Sequence, residues 1–408
     1  MKRISILASA ALASAALLLG ASEPPLSLAQ AISEAEAVSD RLRLQEVSVR
    51  TAESSPLADP RAGSPSIRLG ARDLEGSGEA YADDPGDPEY VARARIPLPR
   101  PWDLATAANQ GKATVAREEA QLESLRAGLR LEVTRRYHTL PMLHDAVEIA
   151  ERLAALAADH LQLVDARRGE GLSTELEWLE SEEERRDADE DHASVRSDLR
   201  RVRAEFLALL GRSPGAAVEV ERPDVLGRAL APFSPPDETD AGSREPLDVV
   251  AARADIERAA QRLVRVKLRA LPWLDWFQGG VVFKSGNRPR FEVGAAIDIP
   301  IQQWGNQRYR EAELELKAAR IRLEAVERRH DAQLADRLQE AGAARERWLV
   351  EREHHQALQD HATPVLPLAN PLLKLQLQGR LARAELREQL ALITYIQRLD
   401  RLDSARER

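Results

Sequence analysis

The chain has 408 residues, of which 31% are charged and only 4% aromatic, and its formal net charge is −9. This composition favours long helices over a compact α/β enzyme, and the acidic balance argues against a nucleic-acid partner. Because the chain has no cysteine, disulfides and an acylated cysteine are excluded.

The first 21 residues have the pattern of a secretory signal peptide. Lys2 and Arg3 precede an almost uncharged run from Ile4 to Leu19, which small residues follow. This run is short for a membrane-spanning helix. We therefore expect export of the chain, with cleavage near Ala21.

The first half predicts one helix and then two strands. Residues 26–53 have apolar side chains at helical spacing. Residues 66–74 and 90–98 alternate between apolar and polar side chains, which is typical of half-buried strands. Their apolar face carries Ile67, Leu69 and Ile96, and their polar face carries Arg68, Arg72, Arg93 and Arg95.

The second half repeats this strand pair. Residues 273–284 and 290–299 alternate in the same way, with Val293 and Ile297 on the apolar face and Glu292 on the other. The stretch from Ile96 to Trp102 returns as Ile297 to Trp304. We therefore predict two repeats, 22–222 and 246–408, which a Pro-, Asp- and Gly-rich linker at 223–245 joins.

Each strand pair leads into a predicted helical hairpin, at 102–211 and 305–408. Pro141 should kink or interrupt the first long helix. Both hairpins are expected to turn at a glycine, because Gly169 aligns with Gly379 when Glu175 is placed on Glu385.

The four strands have the length of strands that cross a bilayer. A soluble pair of β-hairpins packed on helices explains the alternation equally well. Tryptophans at the strand ends suit either an interfacial belt or simple packing; they are Trp102, Trp273, Trp276 and Trp304. Because an open sheet edge is not tolerated in lipid and four strands cannot close, spanning strands would require an oligomeric barrel.

No catalytic, cofactor or metal site emerges from the motifs. His354, His355 and His361 lie close in sequence, but two of them are adjacent and would point to different faces of a helix. The segment 75–89 has six acidic residues and no basic one, which solvation of an exposed turn explains; attraction of cations to a pore mouth is the weaker alternative. We expect a protein that is not an enzyme.

The ordered motifs resemble the outer-membrane efflux protein family, the TolC-like channels. They include residues 26–32 after the signal peptide, Pro65 to Ile67, Ile96 to Pro99, residues 169–173 and 209–212, Pro246 to Arg253, and residues 271–273 and 297–300. The resemblance covers essentially the whole mature chain. Departures from the family pattern are the prolines at 364, 367 and 371 and the acidic segment.

The resemblance implies a mainly α protein with a small transmembrane β part. Three chains would form a homotrimer with a twelve-strand barrel in outer-membrane lipid and a helical tunnel in the periplasm of a Gram-negative bacterium. The channel would pass metals, drugs or proteins from a periplasmic adaptor and an inner-membrane transporter of the RND or ABC type, without a cofactor. Its adaptor-facing ends would include Gly169, Gly171, Leu172, Ser173 and Gly379.

Within such a channel the arginine face, with Glu292, would line the lumen, and the apolar face would meet lipid. The alternative is a periplasmic coiled-coil adaptor of the same kind of pump. An adaptor also has a helical hairpin, but it needs a lipoyl-like β-domain and would not repeat a strand pair.

Overall fold

A computed structural model describes residues 25–54, 65–72, 89–98, 100–233, 245–284, 288–299 and 307–407. The predicted signal peptide, Trp304 and most of the acidic segment lie outside these ranges. The described helices are α1 (Leu28–Val38), α2 (Asp40–Ser54), α3 (Pro101–Gly169), α4 (Glu175–Leu209), α5 (Val225–Leu230), α6 (Leu247–Arg269), α7 (Gln307–Val365) and α8 (Pro371–Glu407). The strands are β1 (Ser66–Arg72), β2 (Glu89–Pro97), β3 (Trp273–Lys284) and β4 (Arg290–Asp298).

The chain is mainly α with one four-stranded sheet, as the sequence predicts. No helix in the described ranges has an apolar stretch long enough to cross a membrane. The chain divides into two compact units, and each unit combines segments from both predicted repeats. The compact units therefore do not coincide with the predicted repeats, and the repeat boundaries at 222 and 246 stay a prediction from the sequence.

The first unit comprises residues 1–39, 126–243 and 333–407. Its helices bury large side chains from four elements: Tyr137 of α3, Phe206 of α4, Trp348 of α7 and Tyr395 of α8. The rings of Trp348 and Tyr395 stack with centroids 5.8 Å apart. Much of the remaining core is alanine and leucine, and such small and straight side chains let long helices pack closely along narrow apolar stripes.

The segment before α1 joins this unit through backbone contacts. Leu26 pairs with Val220 in a parallel bridge, and the buried hydroxyl of Tyr137 donates to the Leu26 carbonyl at 3.0 Å. Ser27 then caps α1 in a capping box with Gln30. The predicted single helix at 26–53 is wrong, because the extended backbone of Ser39 separates α1 from α2.

Gly211 ends α4 in a conformation that a side chain would disturb. Its φ is +68°, and a Cβ atom there would lie 2.5 Å from Cγ1 of Val38. We expect Gly211→Ala to lower the free energy of unfolding by about 1–3 kcal/mol, from left-handed strain and overpacking together. Gly215→Ala is the control, because no atom lies within 4 Å of its Cβ position. Equal denaturation midpoints for the two variants would contradict this account.

The second unit comprises residues 40–125 and 244–332. Its sheet has the order β1, β2, β3, β4, and every neighbouring pair is antiparallel. At the start of α3, Asp103 accepts hydrogen bonds from Arg265 and Arg269 of α6 at 3.2 and 3.1 Å. Burial raises the pKa of Asp103, but the two arginines outweigh it and hold the pKa below its ordinary value.

Two predictions about breaks in the helices need correction. Helix α3 is continuous through Pro141, so of the two outcomes that the sequence predicts there, a kink or an interruption, the interruption does not occur. The neighbours Leu140, Met142 and Leu143 are buried, so packing offsets the missing backbone hydrogen bond. The predicted linker also contains α5, whose first turn Asp224 caps by accepting from the amide of Gly227 at 2.9 Å.

Candidate functional site

The sheet has one apolar face and one polar face, as the alternation predicts. Strand register places Ile67 opposite Ala94, Gly279 and Val293 across the four strands. The side chains predicted to face lipid are all exposed; the exposed fractions are 76% for Ile67, 80% for Leu69, 49% for Ile96, 74% for Val293 and 64% for Ile297. Tyr90, Phe283 and Phe291 extend the same exposed apolar surface.

Exposure along β4 is inverted relative to a water-soluble sheet. From Phe291 to Ile297 the apolar residues are exposed, whereas Glu292, Gly294 and Ala296 between them are half-buried. A soluble sheet would cover its apolar side and leave its polar side in water. A barrel in lipid has apolar residues outside and polar residues inside.

The arginines of β1 and β2 share the polar face with Glu292. Register places Arg68 opposite Arg93, then Gly280 and Glu292. Arg93 reaches across β3 to Glu292, with Nη2 and Oε2 2.8 Å apart. A Cβ atom on Gly280 would lie 2.9 Å from Cγ of Arg93, so this glycine provides the space for the crossing. Position 72 lies four residues after Arg68 in β1, so the alternation of the strand assigns it to the same face.

The three described tryptophans at the strand ends favour packing over an interfacial belt. Trp276 lies on the polar face, where the guanidinium of Arg95 stacks 4.4 Å from its ring centroid. Trp273 packs edge to face on Trp102 at 4.8 Å and donates to the Leu98 carbonyl at 3.1 Å. These two rings are packing anchors where β2 meets α3, and Trp276 is not part of an interfacial belt.

The turn between α3 and α4 contains four of the residues predicted to face an adaptor. Gly169 is the last residue of α3, and Gly171 has φ +75°, as a glycine that follows a helix often does. Thr174 caps α4 in a capping box with Glu177. Leu172 is 62% exposed at the turn, while Ser173 is half-buried.

The prediction that Gly379 forms the second turn is wrong. Gly379 lies inside α8, and the turn spans residues 366–370, between α7 and α8. Glycine costs a helix only about 1 kcal/mol, whereas Pro371 is favoured at a first helical position. Asn370 caps α8 by accepting from the amide of Leu373 at 2.8 Å. Leu368 in this turn is 87% exposed.

Ionic contacts join the helices of the first unit near these turns. Glu184 of α4 lies 3.3 Å from Nδ1 of His160 on α3 and 3.6 Å from Nη2 of Arg383 on α8. The close contact with His160 lowers the pKa of Glu184 and outweighs burial, and Arg383 and Arg380 add to the shift. Three helices thus share one partly buried carboxylate.

This contact predicts a stability difference that depends on pH. Because the pKa of Glu184 is depressed in the folded state, its contribution is complete above its ordinary value of 4.5 and is lost as pH falls through the folded value. We expect Glu184→Gln to lower the free energy of unfolding at pH 7 by about 1–2 kcal/mol. Urea unfolding followed by circular dichroism should show the difference shrinking below pH 4.5. The control is Glu180→Gln, an exposed position on the same helix; a difference that grows in acid would contradict the assignment.

A buried polar cluster links α3, α5 and α8, and no sequence motif indicates it. Asp400, whose side chain is 1% exposed, accepts from Arg228 Nη1 at 2.5 Å and lies 3.1 Å from Nδ1 of His138. Arg228 also donates to Asp403 through Nη2 at 2.6 Å. Burial lowers the pKa of Arg228, but the two aspartates outweigh it and raise the pKa above its usual range. The cluster fixes the short helix α5 to the core.

The histidines of α7 do not form a site. Nδ1 of His355 lies 2.6 Å from Glu388 of α8, while His354 and His361 are exposed. Within the described ranges, no group of three or more His, Asp or Glu side chains is placed to hold a metal ion.

Solved outer-membrane channels share this architecture. The chain superposes on the outer-membrane channel OprN with a TM-score of 0.72 and 17% identity, over 93% of this chain and 89% of OprN. For the outer membrane protein VceC of Vibrio cholerae the TM-score is 0.70 at 17% identity, over 93% and 94%. For the MtrE outer membrane channel of Neisseria gonorrhoeae it is 0.69 at 16% identity, over 93% and 88%.

Sequence comparisons are weaker than structural ones for this chain. No protein-family model matches it. It is 28% identical over 213 residues to the fusaric acid resistance protein FusA of Burkholderia cepacia, a match over 50% of this chain and 38% of FusA. The match therefore spans well under half the length of this curated relative.

Proposed function

We propose that this chain, which has the fold of the TolC-like outer-membrane channels, is the outer-membrane exit duct of a tripartite efflux or secretion system. The observation that carries the proposal is the sheet, whose apolar side chains are exposed while Arg93, Arg95 and Glu292 on its other face are half-buried. In water this arrangement would leave a large apolar patch uncovered. Lipid on the apolar side and a water-filled lumen on the other satisfy both faces.

The sheet edges support an oligomeric assembly. Within the described residues β1 and β4 each pair on one side only, so each chain has two open edges. Backbone groups at an open edge cannot be left unpaired in lipid. Three copies joined through β1 and β4 would close a twelve-strand barrel, in line with the oligomer that the sequence requires for spanning strands.

The runner-up from the sequence, a periplasmic adaptor, has less support. Its expected lipoyl-like β-domain is not among the described elements, where the strands form a single four-stranded sheet. The solved structures that cover 93% of the chain are named as outer-membrane proteins and channels. We therefore favour the duct, with the adaptor and an inner-membrane transporter as its partners.

Deletion and fractionation test the duct directly. A strain that lacks this chain should become more susceptible to the compounds its pump removes, and the curated relative makes fusaric acid the first compound to try. The purified protein should migrate as a heat-modifiable trimer from outer-membrane fractions. A monomer in the soluble periplasmic fraction would overturn the proposal.

We further propose that the two interhelical turns face the adaptor. Leu172 and Leu368 are exposed apolar side chains at the two turns, and an apolar anchor of this kind is a common centre of a protein interface. Leu172→Asp and Leu368→Asp should each reduce cross-linking to the adaptor and reduce efflux by about tenfold or more. Trimer levels should be unchanged, and the control Glu170→Asp in the same turn should behave as wild type. Normal cross-linking of both leucine variants would contradict the placement.

A further inference from the structure

We infer that the arginine face of the sheet makes the duct selective for anions, so that its substrates include small organic acids in their carboxylate form. The inference rests on the proposed function, because the face has to line a lumen. The inference is drawn from the charged side chains that strand register brings together on this face. It also depends on which of these side chains form ion pairs.

Basic side chains outnumber acidic ones on the polar face. Register and parity place Arg68, Arg93, Arg95 and Arg290 on this side of the four strands. Their acidic neighbours are Glu292 and Asp298 on β4 and Asp275 at the irregularity in β3, and Asp298 pairs with Arg100, which follows β2. Among residues whose side chains are described, five arginines, including Arg100, therefore face three carboxylates.

Two of the strand arginines are neutralised within the sheet. Arg93 pairs with Glu292 at 2.8 Å, and Arg95 lies 3.8 Å from Asp275 while it stacks on Trp276. Arg68 and Arg290 have no ion-pair partner within the described part of the chain, and both are exposed. Counted over the described side chains, each chain thus contributes two uncompensated positive charges.

These charges lie at opposite edges of the sheet. Arg68 is on β1 and Arg290 is on β4, so in a barrel closed through these strands they would recur around the circumference. Direct opposition of Arg68 and Arg93 is unfavourable for strand pairing. A lumen that gathers anions would offset that repulsion, because counter-ions can accumulate between the rings of charge.

A ring of arginines is an established way to favour anions in a pore. Low-dielectric walls focus the field of lining charges into the lumen. Screening acts over about 8 Å at physiological ionic strength, so charges on the wall reach solutes in a pore of similar radius. The guanidinium group also binds carboxylates through paired hydrogen bonds, which suits organic acids better than a bare charge would.

The acidic segment between β1 and β2 has the opposite charge. It contains Glu75, Glu79, Asp83, Asp84 and Asp87, all outside the described residues. If this segment governed permeation, the channel would prefer cations. A measurement of ion selectivity therefore shows whether the arginine face or the acidic segment governs permeation.

Reversal potentials across planar bilayers test the inference. Purified trimer in a KCl gradient should show a chloride-to-potassium permeability ratio above one. The double variant Arg68→Gln with Arg290→Gln should lower that ratio by about twofold or more. Arg288→Gln is the control for a single arginine change, because it removes one positive charge from the exposed segment before β4 and should leave the ratio near that of wild type.

The substrate class is tested with benzoate in place of chloride on one side. Benzoate should carry current in the wild-type channel, and this current should fall in the double arginine variant. A channel that prefers potassium, a ratio that the double variant leaves unchanged, or exclusion of benzoate by a chloride-conducting channel would each overturn the inference and leave the duct intact. A trimer without any conductance would overturn the proposed function, and the inference with it.

Discussion

Val293→Lys should abolish assembly of the protein in the outer membrane. Val293 lies near the middle of β4, is 74% exposed and belongs to the apolar face of the sheet. A lysine at the midplane of a membrane barrel costs about 2–4 kcal/mol, and a trimer would incur this cost three times. We expect little or no heat-modifiable trimer in outer-membrane fractions, with the chain degraded or held in the periplasm.

The matched control introduces the same residue on the other face of the same sheet. Gln278 lies on the polar face opposite Arg95 and Gly294, so Gln278→Lys should leave trimer levels within about twofold of wild type, since a lumen-facing charge remains hydrated. Equal trimer levels for Val293→Lys and Gln278→Lys would show that the apolar face does not meet lipid.

Arg228→Ala should destabilise the helical unit strongly. The change removes the hydrogen-bonded partner of Asp400, a carboxylate with a 1% exposed side chain, and it releases α5 from α8. Breaking a buried ion pair on one side costs about 3–5 kcal/mol, and here the buried carboxylate would keep only its contact with His138. We expect the thermal unfolding midpoint of the trimer to fall by several degrees.

An exposed arginine in the same unit provides the comparison. Arg222 pairs with Asp145 at 2.9 Å, with side-chain exposures of 73% and 39%, and such pairs contribute about 0–1 kcal/mol. Arg222→Ala should therefore be nearly neutral. Restoration of the Arg228→Ala midpoint by a second change, Asp400→Asn, would support the buried-charge explanation. Similar losses for the two arginine variants would contradict it.

The strand positions could be predicted from the sequence because the side-chain pattern of a strand depends only on neighbouring residues. An alternation of period two records which side of a strand is apolar. It therefore predicted β3 at 273–284 as observed, and β4 to within one residue at its end. The two faces of the sheet follow from the same pattern once the register is known.

The turns between helices were harder to predict, because several glycines and prolines could each have ended a helix. Gly379 and Pro141 both lie inside continuous helices. The turn that joins α7 to α8 instead lies after Pro364 and includes Pro367. It ends at Asn370, which caps the helix that begins at Pro371. A single glycine or proline can be offset by packing, whereas clustered prolines remove several backbone donors together.

The sequence by itself indicated the duplicated strand pair, the helical hairpins and the apolar face, and it predicted an oligomeric barrel if the strands span a membrane. Tertiary structure alone decided that Trp276 joins the arginine face, that Arg93 reaches Glu292 over Gly280, and that α5 is held by Asp400. The physical reason is the distance along the chain over which each interaction acts. Period and capping depend on neighbours within a few residues, but a buried ion pair between positions 172 residues apart depends on how whole helices pack.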